Sequence, residues 1–480
     1  MANSSEFYRF KNWLDVQQKA KDTVVQIFSQ ILKFNWLEPY KAPTQTAVFG
    51  SGFFINNKGH ILTNFHVVDE AVSIQIQIPS LGKEQLDVEV VGVYPDMDVA
   101  LLKLKDEDFA KVKNFLGYIP YLELGDSDEI HRSEEILAIG YPLGQEGLKS
   151  TQGIVSGREK IQMLSYIQIT APLNPGNSGG PSLNHEGKVI GINFAGVTEA
   201  QNVGYIIPIN EIKSAIRDLC KVKVLRRPYL GGIFSYSNSD MVEYFKNPQE
   251  GGFFVTKVFP GSILEKAGII DGDMIYQFNE FKVDRFGEIV VSWSEDKISM
   301  LDLLHRYEVG DEITLTLYRR GEKKIIKFKL ELSAEVPIRF VYPNFEKVEY
   351  EVFGGLVVME MTLNHVEIFA EFNPLFHMFS RVDVQYNSKL IVTNILHDSQ
   401  LQRARSILPG DIIEFVNNQK VGSLKEFRDA VAKQKDSNFL TLKTDVGIFC
   451  VLAIDKILED EDRLSQQYLY KKSFLVDLLK

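Results

Sequence analysis

Short apolar segments separated by Gly, Asn and Asp dominate the chain between residues 47 and 222. Their length and spacing predict β-strands, and many short strands with few helices between them favour an all-β barrel or sandwich. One helix is expected to close the region, because Pro208 precedes a run whose apolar residues share one helical face. The predicted strands are Val48–Ile55, Ile61–Thr63, Val72–Ile78, Leu86–Val93, Val99–Leu104, Ile136–Ile139, Val189–Phe194 and Val203–Ile207.

Ahead of these strands, apolar residues recur near helical spacing from Trp13 onward and less regularly towards Trp36. This pattern predicts an amphipathic N-terminal arm. The aromatic residues Phe28, Phe34 and Trp36 would either fill a core or contact another subunit, and core filling is the expectation.

Beyond residue 225 the pattern repeats itself. Two stretches follow the same order of strand, turn, short helix, Gly-Asp turn and strand, which indicates an internal repeat. The first copy contains Val255–Val258, Pro260-Gly261-Ser262, Lys266-Ala267-Gly268 and Asp271-Gly272-Asp273. The second contains Leu390–Leu396, Arg403-Ala404, Leu408-Pro409-Gly410-Asp411 and a helix near Leu424–Lys433.

The overall composition is that of a soluble globular protein, with 45% hydrophobic and 24% charged residues. A chain of 480 residues is expected to form about three domains. The net charge of −11 argues against nucleic acid as the main partner. The two cysteines, Cys220 and Cys450, lie in different predicted domains, so a disulfide framework is excluded and both are expected to be free, buried thiols.

The sequence carries no recognisable targeting, membrane-spanning or cofactor-binding pattern. No run of about 18 apolar residues occurs, so no membrane span is predicted. The first ten residues lack the basic start and apolar stretch of a secretory signal, so the sequence as given predicts a cytoplasmic protein. The periplasm or an organelle lumen is the alternative if a targeting segment was trimmed. No His-Glu-x-x-His, paired Cys-x-x-Cys or nucleotide-binding Gly-Lys-Ser/Thr pattern occurs, so no metal or other cofactor is expected.

The strongest candidate for chemistry is Pro175-Gly176-Asn177-Ser178-Gly179-Gly180-Pro181. Glycines on both sides of Ser178 permit a tight turn that projects its hydroxyl towards a substrate. Backbone N–H groups of such a turn can stabilise an oxyanion. Ser178 is therefore the candidate nucleophile.

Two residues could activate this hydroxyl. His66 follows a predicted strand, and histidine is well suited to accept a serine proton near neutral pH. Asp98 precedes the apolar run Val99–Leu102, which would carry it inward to orient the imidazole. Asp96 is the competing carboxylate, but it follows Pro95 in a turn, so Asp98 is preferred.

These motifs resemble those of the HtrA/Deg branch of chymotrypsin-fold serine proteases, in the order His66, Asp98, Ser178. The resemblance implies a double β-barrel with the triad in the cleft between the barrels. It also implies an oxyanion hole made by the N–H groups of Gly176 and Ser178, with Asn177 lining the turn. Trimer-based homo-oligomers are implied as well.

The resemblance extends beyond the protease region. The segment Tyr229-Leu230-Gly231-Gly232 is similar to the loop that opens a PDZ domain in this family, and these four residues are the expected peptide-binding loop of a first PDZ domain. Phe353-Gly354-Gly355-Leu356 would be the equivalent loop of a second, degenerate copy. The second copy, in which Phe369–Phe379 is unusually aromatic, is similar to that of plant-type Deg proteases and bacterial relatives, and either a structural or oligomer-contact role or substrate binding is open for it.

The expected fold is thus mostly β, with a chymotrypsin-like double β-barrel followed by two PDZ domains of α+β type. The expected domains are an N-terminal arm (1–46), a protease domain (47–222), a first PDZ domain (226–334), a second PDZ domain (350–456) and a C-terminal tail (457–480).

The expected function is ATP-independent serine endopeptidase activity on unfolded or damaged proteins, together with binding of hydrophobic peptides. The alternative is a PDZ scaffold or holdase chaperone with little proteolytic activity. The specificity pocket is expected to be uncharged, which predicts cleavage after aliphatic residues. Its predicted lining is Pro172, Leu173, Phe194, Ala195 and Gly196.

Overall fold

The structure is a computed structural model that describes residues 13–161, 164–194, 203–226, 228–332, 336–433 and 437–479. The chain forms two compact units. One comprises Met1–Ile31 and Ala47–Ala334, and the other comprises Leu32–Thr46 and Glu335–Lys480. The first unit contains two β-barrels and a sheet domain, and the second contains another sheet domain.

The first barrel is built from six strands after a short helix, α1 (Trp13–Ala20). These strands are β1 (Val24–Lys33), β2 (Thr44–Phe54), β3 (His60–Thr63), β4 (Ala71–Gln77), β5 (Leu86–Tyr94) and β6 (Val99–Leu104). They close in the order β1-β2-β3-β6-β5-β4, and the helix α2 (Asp106–Leu116) follows. Five of the six residues of β6 are buried, and the strand is paired with β3 on one side and β5 on the other.

The amphipathic arm predicted from Trp13 to Trp36 does not extend beyond α1. The helix ends at Ala20, and Val24–Lys33 is a strand of the barrel. The β-branched residues of this segment are buried in succession, which weakens any helical periodicity and favours a strand. Leu32–Thr46 belongs to the second unit, where Trp36 packs in the core, as expected for core filling.

The second barrel also has six strands, closed in the order β10-β11-β12-β9-β8-β7. They are β7 (Glu135–Gly140), β8 (Lys149–Ile161), β9 (Leu164–Ile169), β10 (Pro181–Leu183), β11 (Val189–Phe194) and β12 (Gly204–Pro208). The helix α3 (Ile209–Leu219) follows and buries Ile209, Ile212 and Leu219.

The expectation of a chymotrypsin-like double barrel is confirmed, and each of the eight predicted strands corresponds to a strand of the structure. Strands β8, β9 and β10 were not predicted. β8 is largely polar and half-exposed, so it offers no apolar run to recognise. The expectation of one helix is wrong, since α2 lies between the barrels in sequence.

The first sheet domain has the strand order β13-β14-β15-β19-β20, with one strand paired beside β15 and a separate two-stranded ribbon. The strands are β13 (Gly232–Ser235), β14 (Phe253–Val258), β15 (Met274–Phe278), β16 (Phe281–Lys282), β17 (Glu288–Ile289), β18 (Ile298–Ser299), β19 (Glu312–Arg319) and β20 (Glu322–Lys329). The helices are α4 (Ser239–Tyr244) and α5 (Ile263–Lys266).

The second sheet domain has the order β21-β22-β23-β24-β26-β27, with one strand paired beside β24. The strands are β21 (Tyr350–Phe353), β22 (Leu356–Glu360), β23 (Leu390–Ile395), β24 (Ile412–Val416), β25 (Gln419–Lys420), β26 (Phe439–Thr444) and β27 (Phe449–Ala453). The helices are α6 (Leu363–Ala370), α7 (Val382–Gln385), α8 (Gln400–Ala404), α9 (Leu424–Ala432), α10 (Ile454–Tyr468) and α11 (Phe474–Leu479).

The C-terminal segment is part of this second domain. Helix α10 begins at Ile454, ahead of the expected domain end at residue 456. Ile457, Leu475 and Val476 are buried in the same core as the sheet, so the boundary between domain and tail is not a structural one. The remaining domain boundaries stay predictions.

The two sheet domains make the same local contacts at one glycine each, which supports the internal repeat. A Cβ on Gly231 would lie 2.1 Å from the Ser262 Cβ, and a Cβ on Gly355 would lie 2.1 Å from the Ser399 Cβ. The carbonyl of Gly231 accepts from the next strand at 2.9 Å, and that of Gly355 does so at 2.8 Å. Gly355 therefore occupies the place of Gly231.

The structure also bears on the predictions about the two cysteines and about membrane spans. Cys450 is buried, but Cys220 is exposed at the end of α3, so the expectation of two buried thiols is wrong for Cys220. In the described part of the chain, no helix is both long and apolar enough to span a membrane.

Candidate active site

His66 and Asp98 are held together at one end of the first barrel. The Asp98 carboxylate accepts a hydrogen bond from the His66 Nδ1 at 2.8 Å and another from the His66 backbone N–H at 2.9 Å. His66 is about half-exposed, and Asp98 is mostly covered. A carboxylate on Nδ1 fixes the tautomer that leaves Nε2 free to accept a proton.

The local backbone explains why Asp98 makes this contact. A 3₁₀ turn over Pro95–Met97 ends at Asp98, which has the left-handed φ of 53°. The side chain of Asn64 donates to the Asp98 carbonyl at 2.9 Å, which ties this turn to the segment carrying His66. The structure places Asp98 against His66, whereas Asp96 is exposed.

Ser178 lies on the turn before β10, in the second barrel. Gly176 has φ 97° and Gly179 has φ 85°, which residues with a Cβ rarely adopt. The Ser51 N–H donates to the Ser178 carbonyl at 2.9 Å. A Cβ on Gly179 would lie 2.3 Å from the Thr63 Oγ1, so the turn packs directly against the strand that precedes His66.

The predicted oxyanion donors are positioned in this turn. In the described part of the chain, neither the Gly176 N–H nor the Ser178 N–H donates a hydrogen bond. Neighbouring groups are bonded: Leu143 N–H donates to the Pro175 carbonyl at 2.6 Å. Asn177 is buried, and its N–H donates to the Asn174 carbonyl at 2.9 Å.

The predicted specificity pocket is apolar where the structure describes it. Leu173 packs on the small core of the second barrel, and a Cβ on Gly204 would lie 3.2 Å from the Leu173 Cδ1. Phe194 stacks on Tyr166 at 5.2 Å between ring centroids and lies edge-on to His66 at 6.5 Å. Pro172 is exposed rather than part of a buried floor. Ala195 and Gly196 lie outside the described residues.

Burial and the neighbouring carboxylates act on the pKa of His66 in opposite directions. Burial lowers the pKa of His66, but the hydrogen bond and charge of Asp98, with a smaller contribution from Asp69, outweigh this effect and raise it above its ordinary value. Burial, together with the charge of Glu70, raises the pKa of Asp69 to about 6.

The predicted peptide loop lies at the start of β13. Leu230 is buried, and Gly231 has φ 85°. The Tyr229 hydroxyl donates to the Gly232 carbonyl at 2.9 Å, which braces the loop from within. Strand β13 itself is the edge strand of its sheet.

Sequence reasoning missed three residues of the cleft, namely Ser51, Leu143 and Tyr166. Leu143 has the left-handed φ of 56°, is 68% exposed and donates to the turn of Ser178. The small-residue triplet Gly50-Ser51-Gly52 within an apolar strand was a signal of close backbone approach at Ser51. No comparable sequence signal marks Tyr166 or Leu143.

Comparison with known proteins agrees with this geometry. A family model described as a trypsin-like peptidase domain matches residues 50–192. A probable periplasmic serine endoprotease DegP-like from Marinomonas sp. (strain MWYL1) is 26% identical over 390 residues, which cover 80% of this chain and 74% of that protein. The serine protease Do-like HtrA of Bacillus subtilis (strain 168) is 31% identical over 312 residues, which cover 60% of this chain and 64% of that protein.

Solved structures give the same fold. The HtrA-type protease AlgW, solved with a decapeptide, matches with a TM-score of 0.52 and 22% identity, covering 68% of this chain and 99% of that one. The double barrel, the peptidase match and the named serine proteases among the relatives lead to one assignment. The chain is a serine endopeptidase with a trypsin-like peptidase domain, and its relatives are serine proteases of the HtrA and DegP-like type.

Proposed function

We propose that Ser178 is the nucleophile of this endopeptidase, His66 its general base and Asp98 the residue that orients His66. The observation that carries this proposal is the pair of hydrogen bonds from His66 to Asp98, at 2.8 and 2.9 Å. Such a pair leaves the imidazole Nε2 as the acceptor for the serine proton.

The reaction follows from these roles. The Ser178 Oγ attacks the scissile carbonyl carbon while its proton passes to the His66 Nε2. The carbonyl oxygen becomes an oxyanion that the N–H groups of Gly176 and Ser178 stabilise, with Asn177 lining the turn. His66 then gives its proton to the leaving amine, and water hydrolyses the acyl-enzyme by the same steps.

The proposed substrates are unfolded or damaged proteins, cleaved without ATP after aliphatic residues in a quality-control role. Leu173 supports the aliphatic preference, because its side chain is apolar and could not pair with a substrate Lys or Arg. Discrimination among aliphatic side chains should be modest, about 1–3 kcal/mol per methylene.

The first sheet domain is proposed to be a PDZ domain that binds hydrophobic peptides through Tyr229, Leu230, Gly231 and Gly232, by strand addition to β13. AlgW was solved with a decapeptide, which supports a peptide as the ligand. Trimer-based assembly is proposed from the family resemblance. Several relatives are named as periplasmic, which supports the periplasm or an organelle lumen over the cytoplasm.

The test is degradation of an unfolded protein by the full chain. Ser178→Ala and His66→Ala should each lower turnover by several orders of magnitude, because the triad acts as a unit. Asp98→Asn should be severely impaired, and Asp96→Asn, the matched control, should stay near the unaltered rate. Damage from the Asp96 change with none from the Asp98 change would overturn the assignment.

The same assay also tests the cleavage preference and the holdase alternative. Mass spectrometry of the products should show aliphatic residues before the cut, and a dominant preference for Lys, Arg, Asp or Glu would contradict the pocket. Suppressed aggregation without any Ser178-dependent cleavage would favour the holdase alternative.

A further inference from the structure

Ser51 is a fully buried hydroxyl at the contact between the two barrels. It lies on β2 of the first barrel and is 0% exposed. Its side chain forms two hydrogen bonds with the second barrel. The Oγ donates to the Gly176 carbonyl at 2.6 Å and accepts from the Tyr141 N–H at 2.8 Å.

The backbone of Ser51 is fixed as well. Its N–H donates to the Ser178 carbonyl at 2.9 Å, and its carbonyl accepts from the Thr63 hydroxyl at 2.7 Å. Ser51 thus contacts both residues whose N–H groups are the proposed oxyanion donors. Thr63 links it to the strand that leads to His66.

The turn carries four consecutive carbonyls, and each is bonded. Leu143 N–H holds that of Pro175, Gly180 N–H holds that of Asn177, and Ser51 N–H holds that of Ser178. The carbonyl of Gly176 is held by the Ser51 hydroxyl, a side chain of the other barrel.

This bond matters because of the backbone at Gly176. Its φ of 97° and its lack of a Cβ leave the two peptide planes beside it free to rotate unless other groups hold them. The C=O and N–H of a trans peptide point in opposite directions. The Pro175 carbonyl, held by Leu143, shares its peptide plane with the Gly176 N–H, and the Asn177 carbonyl, held by Gly180, shares its plane with the Ser178 N–H. The Ser51 hydroxyl holds the peptide plane between these two, so it fixes how the two donors are oriented relative to each other.

We propose that Ser51 is a positioning residue of the oxyanion hole, acting through the hydroxyl bond to the Gly176 carbonyl. The proposal rests on the proposed roles of Ser178 and the two N–H donors. A misplaced oxyanion donor weakens binding of the transition state while leaving ground-state substrate binding largely unchanged.

The space around the hydroxyl admits little else. A Cβ on Gly140 would lie 2.9 Å from the Ser51 Oγ and 2.9 Å from the Asn177 Oδ1. Alanine at position 51 would fit but would leave the Gly176 carbonyl and the Tyr141 N–H without this partner. Ser51→Ala is therefore the informative substitution.

The experiment measures hydrolysis of a short chromogenic peptide with an aliphatic residue before the cut, using the full chain. Ser51→Ala should lower kcat by about 10- to 100-fold, as expected for a donor displaced by a fraction of an ångström, with KM changed less than about twofold. A peptide aldehyde of the same sequence, whose Ser178 adduct places an oxygen in the oxyanion hole, should lose affinity by the same factor as kcat.

The matched control is Ser237→Ala, which removes a buried hydroxyl that donates to the Gly252 carbonyl at 2.6 Å in the first sheet domain. Its kcat should stay unchanged. Rates are expressed per active site, counted by complete reaction with a fluorophosphonate, so that loss of folded protein does not imitate the effect.

The outcomes separate as follows. An unchanged kcat per site, or a fall in kcat with unchanged aldehyde affinity, would overturn the role of Ser51. If Ser51→Ala does not fold, Ser51→Cys, which keeps a weaker donor, replaces it. Its kcat should lie between that of the unaltered protein and the value expected for Ser51→Ala, and an unchanged kcat would again overturn the role. Retained hydrolysis in Ser178→Ala would instead overturn the proposed function itself.

Discussion

In the first sheet domain β13 forms the edge of the sheet, whereas β22, its counterpart in the second domain, is paired on both sides in the described structure. The extra partner is β21, the chain's own preceding strand, which runs antiparallel to β22. A peptide that binds by strand addition would take this same position. The second domain therefore contains, within its own fold, a strand in the position that the proposed peptide ligand would take in the first domain.

The loops before these strands show how the change is made. Gly354 and Gly355 have φ 63° and 84°, and Phe353 pairs with Leu356 across them. Positive φ at both central residues is typical of a two-residue type I′ hairpin. The expected peptide loop of the second copy is thus a hairpin turn, which favours its structural role over substrate binding.

Each sheet domain contains an arginine that pairs with carboxylates, but the partners lie in different parts of the chain. In the first copy Arg306 forms a bidentate pair with Asp128 of the protease region, at 2.6 and 2.9 Å, and lies 3.6 Å from Glu211. In the second copy Arg428 of α9 donates to Glu351 of β21 at 2.6 Å. Arg306 thus bonds to the protease region, whereas Arg428 bonds to the added strand β21.

The largest expected effect concerns how the folding stability depends on pH through Glu211, the carboxylate near Arg306. Burial raises the pKa of Glu211 to about 7, although Arg306 and Arg158 oppose this and Asp302 and Asp128 add to it. The folded state then binds the proton more tightly than the unfolded state, so stability is lost as pH rises from about 4.5 to about 7. Glu211→Gln should remove a loss of about 3 kcal/mol over this range. Urea unfolding of both proteins at several pH values measures it, and equal pH slopes would contradict the argument.

The second prediction tests how β21 is held. Arg428→Ala should destabilise the second domain by about 2–3 kcal/mol, because it leaves the buried Glu351 carboxylate without its cation. Hydrogen exchange of the β21 amides reports the loss locally. Lys425→Ala on the same helix removes an exposed pair with Asp429 and should change exchange very little. Peptide binding gained in Arg428→Ala would show that β21 can be displaced, and would sharpen the comparison further.

A matched pair of glycines separates ligand binding from folding. Gly231→Ala and Gly355→Ala meet the same clash with a serine Cβ, at φ 85° and 84°. Each should cost more than about 1 kcal/mol of stability in its own domain. Affinity for a labelled hydrophobic-ended peptide, measured by anisotropy in the Ser178→Ala background, should fall at least about tenfold for Gly231→Ala only. A similar fall for Gly355→Ala would mean that the second domain binds too.

The smallest effect concerns the helix that supports the hairpin. Glu461 of α10 is 0% exposed and accepts a hydrogen bond from the Tyr470 hydroxyl at 2.8 Å. Burial raises its pKa, an effect that this hydrogen bond and the backbone of Gly354 oppose. Tyr470→Phe should lower the free energy of unfolding by about 1 kcal/mol. The loss should grow with rising pH as Glu461 ionises, and a loss that is independent of pH would contradict this role.

The sequence predicted the barrels and singled out His66, Asp98 and Ser178 as candidates, because strand periodicity and the flanking glycines are local signals. It misread Val24–Lys33, whose burial depends on barrel closure rather than on local periodicity. The hairpin at Gly354-Gly355 was readable in principle, since two glycines between apolar strands favour a type I′ turn. The small-residue triplet around Ser51 indicates a close backbone approach, but its partner Gly176 lies 125 positions away, and no local pattern could have identified it.

The route of the chain through Leu32–Thr46 has a consequence for biosynthesis. This segment belongs to the second unit, where Trp36 packs with Met359, yet the strands before and after it close the first barrel. Trp36 and Met359 are separated by 359 − 36 = 323 positions. At about 5–20 residues per second, Trp36 waits on the order of 15–65 seconds for its core to be synthesised. A nascent chain that stops before residue 350 lacks most of this core and leaves the Trp36 side chain exposed. Truncated products of this protein are therefore candidates for aggregation and for degradation by proteases.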